Sequence, residues 1–330
     1  MALTIENHVY REGEGIPLIL VHGFPVDHRM WDRCATALME MSDAQECTQY
    51  PIWAPDMPGA GASPVPRPED SGARAEDGAL PDALDLMADA YVDLLHAAGY
   101  RTLALDQRGY CESARPRGRR AYRLPELVGD VIALLDSAGL ADAHVVGHDW
   151  GAAVAWGVAG AHPDRVRSLT AVSVPHPAAF LTAMIRSDQL LRSWYIGFFQ
   201  LPLIPELVLS SPGPRPEKAL AGMGMTPEMI QRYRDEMVAT GAVPGGLGWD
   251  RALPFAAPGA ATAKVRVPTT FVWSDRDPAL GRGGAERTRE HVDADYRFVE
   301  MNGVSHWIPD ERPAELADAI VDRARSAVAD

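Results

Sequence analysis

Cysteine is scarce in this chain of 330 residues: there are 3, Cys34, Cys47 and Cys111. They are too few for a disulfide framework, and their spacing fits no metal-ligand pattern. The expectation is buried or incidental thiols in a reducing compartment. Long apolar runs are missing too, so nothing reads as a bilayer span, and Met1 to Asn7 lack the basic-then-apolar pattern of a secretory signal. A cytoplasmic protein with no membrane partner is expected. Positive charge is in short supply: Lys and Arg number 31 against 45 Asp and Glu, a formal net charge of -14. That balance disfavours nucleic acid as a partner. The one basic cluster, Arg115, Arg117, Arg119, Arg120 and Arg123, reads as a solvated loop. Finally, no Gly-x-Ser-x-Gly string occurs, so the common serine nucleophile of a strand–turn–helix elbow is excluded.

What is present begins with hydrophobic content. At 47% of residues it suffices for one large core with a smaller second unit. Short strand-like runs alternate with longer helical ones, which predicts a mainly parallel sheet flanked by helices.

The densest local signal is Gly147-His148-Asp149-Trp150-Gly151. A β-branched run, His144-Val145-Val146, leads in, and small residues, Ala152 to Ala155, lead out. That is a strand, a cramped turn and a helix start, with Asp149 at the apex of a nucleophile elbow. A serine there needs a base before it attacks a carbonyl. A carboxylate is already ionised near neutrality, and the following helix start favours that charge. Asp149 is therefore expected to attack a saturated carbon and form an alkyl-enzyme ester. Water must then cleave that ester, which calls for a histidine base oriented by a second acid.

Both follow downstream. A buried-strand pattern ending at Phe271-Val272-Trp273 runs into Ser274-Asp275-Arg276-Asp277-Pro278. Asp277 is the preferred acid and Asp275 the alternative. A further strand, Tyr296 to Glu300, leads to Gly303-Val304-Ser305-His306-Trp307, which nominates His306 as base. The oxyanion formed on the ester needs backbone N–H donors. Trp150 supplies one. The loop His22-Gly23-Phe24-Pro25, after the strand-like Ile16 to Val21, supplies the other from Phe24.

Taken together, His22-Gly23-Phe24-Pro25, the Asp149 pentapeptide, Asp277 and His306 resemble the α/β-hydrolase superfamily, and within it the epoxide hydrolases. The resemblance continues through Ser173-Val174-Pro175-His176-Pro177 and covers most of the chain from about Gly99. It implies the α/β-hydrolase fold, a mainly parallel central sheet flanked by helices, with a helical cap inserted after the sixth strand. Residues 1–178 and 259–330 would form the core and 179–258 the cap. The implied reaction opens a small apolar epoxide to a vicinal diol with water, without cofactor or metal, in a monomer or homodimer. Trp150, Phe24 and Trp307 would line the substrate site. In this family two cap tyrosines assist the epoxide oxygen. Trp194-Tyr195-Ile196-Gly197-Phe198-Phe199 nominates Tyr195 as the first, or else as a member of an aromatic cluster. At the second, Gly248-Trp249-Asp250-Arg251 carries Asp250 where tyrosine is expected, and an ionised Asp250 would repel the developing alkoxide. Haloalkane dehalogenation is the alternative with the same nucleophile, its halide held by the Trp150 indole. A non-catalytic or impaired chimeric fold is the other.

One anomaly remains. The pattern Ala-x-Asp-x-x-Gly-x-x-x-Ser occurs twice, over Ala54–Ser63 and Ala104–Ser113. Between the copies lie a Pro/Gly/acidic loop, Pro64 to Pro81, and an amphipathic stretch from about Asp82 to Ala98. Residues 57–98 read as an insertion or as a chimeric junction near residue 98, the second being preferred. Only one copy can pair beside the strand ending at Val21, and the later copy is expected there. Misplacing the oxyanion loop against the elbow by roughly 1 Å would cost about a hundredfold in rate.

Overall fold

The computed structural model describes residues 7–9, 18–24, 52–53, 103–105, 107–110, 114–256 and 262–327. Cys34, Cys47, Cys111, Pro25, Asp56, Asp106, the 64–81 loop and the 82–98 helix lie outside them. The strands are β1 (Asn7–Val9), β2 (Leu18–Val21), β3 (Ile52–Trp53), β4 (Leu103–Leu105), β5 (Ala143–His148), β6 (Val166–Val172), β7 (Thr269–Ser274) and β8 (Tyr296–Met301). One sheet runs in the order β3-β2-β5-β6-β7-β8. Every neighbouring pair in it is parallel.

The chain chemistry explains that arrangement. β5 and β7 are buried at every position, as parallel strands covered on both faces must be. β8 closes one edge with exposed Arg297 and Phe298, and a charged edge discourages further pairing. α1 (Leu124–Ser137) buries Leu127, Val128, Val131, Leu134 and Leu135, one stripe at helical spacing. α2 (Trp150–Ala161) is made mostly of small residues and is buried nearly all round, so it can press against β5 and β6.

Between β6 and β7 the chain is helical: α3 (Pro177–Arg186), α4 (Gln189–Arg192), α5 (Trp194–Phe199), α6 (Ile204–Ser210), α7 (Pro214–Gly222), α8 (Pro227–Tyr233) and α9 (Val243–Ala252). Met225, Met229 and Met237 are buried here as packing residues. After β7 come α10 (Arg282–Arg287), α11 (Ile308–Glu311) and α12 (Pro313–Ser326), the last packed on β6 and β7. Among the described residues no helix is long and apolar enough to cross a membrane.

Register makes the strands end level. Val21 lies opposite Gly147, His148 opposite Val172, Val172 opposite Val272, and Ser274 opposite Met301. The segments that follow β2, β5, β6, β7 and β8 therefore emerge along one rim. The crevice outside the carboxyl ends of the strands is where parallel sheets place their sites.

The pairing of the repeated segments corrects the expectation. The early copy, β3, lies parallel beside β2. The later copy, β4, pairs antiparallel with β1 instead. Equal motifs leave the choice to chain connectivity. The link over residues 22–51 is less than half as long as that over 22–102, and each doubling of a loop adds about 0.6 kcal/mol of closure cost.

The start of α2 is locked onto the end of β2. A Cβ added at Gly151 would lie 2.1 Å from the Val21 carbonyl oxygen and 2.7 Å from that of His22. Both are backbone atoms that cannot swing aside. Gly151→Ala is expected to destabilise the fold by ~1–3 kcal/mol, read as a lower urea midpoint at unchanged m-value. An unchanged midpoint would disprove this close approach.

Candidate active site

Asp149 stands between β5 and α2 with φ 54 and ψ -125, a conformation that costs a non-glycine residue about 1–3 kcal/mol. The surroundings hold it there. Its N–H donates to the Val172 carbonyl at 3.4 Å, and its own carbonyl accepts from Ala152 and Ala153 at 3.0 and 3.2 Å. The loop after β2 closes over it: a Cβ added at Gly23 would lie 2.2 Å from Asp149 Oδ1 and 2.5 Å from the Trp150 nitrogen. The loop that carries Phe24 and the elbow are thus in contact. Asp149 Oδ1 is buried and has no hydrogen-bond partner among the described residues.

The other carboxylate oxygen faces the rim. Asp149 Oδ2 is 3.3 Å from His306 Nε2, and His306 Nδ1 is 2.6 Å from Asp277 Oδ2. Asp277 Oδ1 accepts from the N–H groups of Ala279 and Leu280 at 2.8 and 2.9 Å, so the acid is fixed by its own turn. The alternative acid, Asp275, points elsewhere and accepts from the Gly303 N–H at 2.6 Å. The carbonyl of His306 is held by His148 Nε2 and Ser173 Oγ, each at 2.9 Å. Burial pushes the His148 imidazole down to about 4, helped by the positive charge of His306. It is therefore a neutral support. Trp307 packs edge-on against His306 at 5.2 Å between ring centres, and its indole N–H donates to the Met223 carbonyl at 3.0 Å.

Three carboxylates and one imidazole set the electrostatics. Burial alone would lower His306, but the charges of Asp277 and Asp149 and hydrogen bonds to both outweigh it and hold the imidazole well above its usual range. The resting site therefore contains an imidazolium between two carboxylates.

Asp250 is almost fully buried and takes the Trp150 indole N–H on its Oδ2 at 3.4 Å. Burial, and then the nearby charge of Asp149, push its carboxyl up to about 7. The fixed negative charge expected there is thus absent on the acid side of neutrality.

Tyr195 is half-buried, edge-on to Phe199 at 5.5 Å, and Phe199 in turn is edge-on to Phe24 at 6.3 Å. It belongs to an aromatic cluster and also faces the carboxylates. Desolvation, then Asp250 and Asp149, push its phenol well above the usual value, which keeps it a donor. Tyr233 is no substitute, because its hydroxyl donates to the Leu209 carbonyl at 3.3 Å.

Sequence reasoning passed over Tyr110. It is fully buried, stands edge-on to Trp249 at 5.8 Å, and its hydroxyl has no partner among the described residues. Desolvation, then Asp149 and Asp250, raise its phenol well above normal. Its only signal was its place in the second Asp-x-x-Gly segment. The basic cluster is more than a solvated loop: Arg115 donates to the carbonyls of Tyr110 and Thr240, and Arg119 to that of Gln200.

Comparison with known proteins places the fold in a family. The alpha/beta hydrolase fold family model matches residues 78–313. The AB hydrolase superfamily protein YfhM of Bacillus subtilis is 35% identical over 231 residues, 68% of this chain and 80% of that protein. Epoxide hydrolase A of Mycobacterium tuberculosis is 33% identical over 274 residues, 70% of this chain and 84% of its own. A crystal structure of Bacillus megaterium epoxide hydrolase superposes with TM-score 0.68 at 20% identity over 97% of each chain, a likeness of fold.

The carboxylate of Asp149 helps to keep His306 protonated, so its removal must release that proton more readily. Asp149→Asn is expected to lower the titration midpoint of His306 by about one pH unit or more, the scale of losing ~1.4 kcal/mol of charge interaction. Imidazole nitrogen shifts in a histidine-labelled sample measure it. A midpoint unmoved by the substitution would contradict the ion pair.

Proposed function

The chain belongs to the α/β hydrolase fold family as an epoxide hydrolase-like enzyme, and we propose that it opens a small epoxide to a vicinal diol through an ester on Asp149. One observation carries this reading. The carboxylate at a strained elbow faces a buried imidazole at 3.3 Å, and that imidazole rests on a second acid at 2.6 Å. Asp149 attacks an epoxide carbon and the ring C–O bond breaks toward its oxygen. Tyr195 donates to that oxygen, and Phe24 and Trp150 border the substrate.

The same electrostatics explain the second half of the cycle. Esterification removes the charge of Asp149 and its hydrogen bond to His306. The imidazolium loses that support and gives up its proton to solvent. Neutral His306, still oriented by Asp277, then takes a proton from water, and the resulting hydroxide attacks the Asp149 ester carbonyl. The backbone N–H groups of Phe24 and Trp150 receive the oxyanion. No step needs a cofactor. Residues 179–258, the helical excursion between β6 and β7, act as a cap over the rim, and residues 1–178 and 259–330 as the core.

Halide capture is the weaker reading. A halide would need the Trp150 indole N–H, which here is directed at Asp250. Incubation with styrene oxide and with a bromoalkane separates the two chemistries. Diol is expected from the first and no bromide from the second. Asp149→Ala is expected to abolish turnover. His306→Ala is expected to lower it by ~10²–10⁴-fold and to leave an alkyl adduct on the Asp149 peptide, detected by mass. Undiminished turnover by Asp149→Ala would overturn the mechanism.

A further inference from the structure

Asp250 occupies the place where a hydrogen-bond donor is needed, and its surroundings give an acid rather than a carboxylate. The group is almost fully buried on α9. Its Oδ2 takes the indole N–H of Trp150, the residue directly after the nucleophile. The adjacent guanidinium, Arg251, makes its ion pair with Glu206 and not with Asp250. Two further bonds tie α9 to the segment that carries Tyr195. Gln200 Nε2 donates to the Asp250 carbonyl at 2.8 Å, and Arg251 Nε to the Phe199 carbonyl at 2.8 Å.

The charged and titratable groups that act on Asp250 are Asp149 at the elbow, Arg251 on its own helix, and the phenols Tyr195 and Tyr110. Asp149 and Asp250 therefore share one low-dielectric space. Two negative charges there are unfavourable, and burial together with the charge of Asp149 raises the Asp250 carboxyl above the usual carboxylate range.

We infer that Asp250, as a neutral carboxylic acid, is a catalytic residue that works beside Tyr195 and donates its proton to the epoxide oxygen while Asp149 attacks. This rests on the epoxide-opening reading of Asp149. The carboxylate oxygen of Asp149 bonds to carbon, and the electron pair of the breaking C–O bond goes to the ring oxygen. That oxygen takes the proton from Asp250. Asp149 becomes a neutral ester and Asp250 a carboxylate, so the single negative charge passes from one acid to the other. Neutralising Asp149 also removes a charge that favoured the protonated form of Asp250, which makes it a stronger acid at the moment of transfer. Ester hydrolysis restores the carboxylate of Asp149, and the proton released to solvent returns to Asp250. Epoxide and water are consumed and one diol is formed.

The test is the pre-steady-state rate of alkyl-enzyme formation with styrene oxide, by quenched flow and mass, from about pH 6 to about pH 9. In the unmodified protein this rate is expected to fall by about tenfold or more as the acid ionises. Asp250→Asn keeps the volume and an N–H donor, and its rate should be flat over that range. Asp250→Ala should alkylate about a hundredfold more slowly than the unmodified protein at the acid end. An infrared band of a neutral carboxyl, lost in Asp250→Asn and titrating near neutrality, checks the protonation state independently of activity or of how well the alanine variant folds. Equal profiles for the unmodified protein and Asp250→Asn, unimpaired alkylation by Asp250→Ala, or absence of the carboxyl band would each overturn the role of Asp250. Absence of any alkyl-enzyme in the unmodified protein would instead overturn the reading of Asp149 on which it rests.

Discussion

The site depends on how one buried imidazole is shared between two carboxylates, Asp277 fully buried and Asp149 partly exposed. Asp277 is anchored by its own turn and permanently orients His306. Asp149 touches the other ring nitrogen, and in the proposed alkyl ester its contribution would vanish, which would tie the charge state of His306 to the covalent state of Asp149. Burial makes this coupling strong, because charges interact more strongly in low dielectric than in water.

The sheet exists to bring these groups to one rim. β2, β5, β6, β7 and β8 end level in register, and each delivers one element of the site. β2 leads to the loop at Gly23 and Phe24, and β5 to Asp149. Ser173 follows β6, Asp277 follows β7 and His306 follows β8. Close backbone approach at Gly23 and Gly151 replaces any flexible fit between these parts. The strain at Asp149 is tolerated because the loop from β2 leaves it no other place.

Much of this was legible in the sequence, for a physical reason. An elbow needs a strand, glycines and a reactive apex within a few residues, so its signal is local. The same holds for Asp277 and His306, each at the end of a readable strand. Sequence favoured Asp277 and left Asp275 open, because both lie in the same turn and only the direction of the side chain separates them. The upward shift of the Asp250 carboxyl was not legible either: its identity was plain, but burial and the charge of Asp149 are tertiary facts. Strand pairing was misread because two copies of one motif compete for one partner, and what separates them is the length of the connection and not the local pattern.

The tie between α5 and α9 has a consequence for how the molecule cycles. Gln200 and Arg251 fasten the two helices across their backbones, so Tyr195 and Asp250 sit on one rigid bracket. In the proposed reaction, any tilt of that bracket to let the product depart would withdraw both side chains from the elbow together, so neither would act without the other.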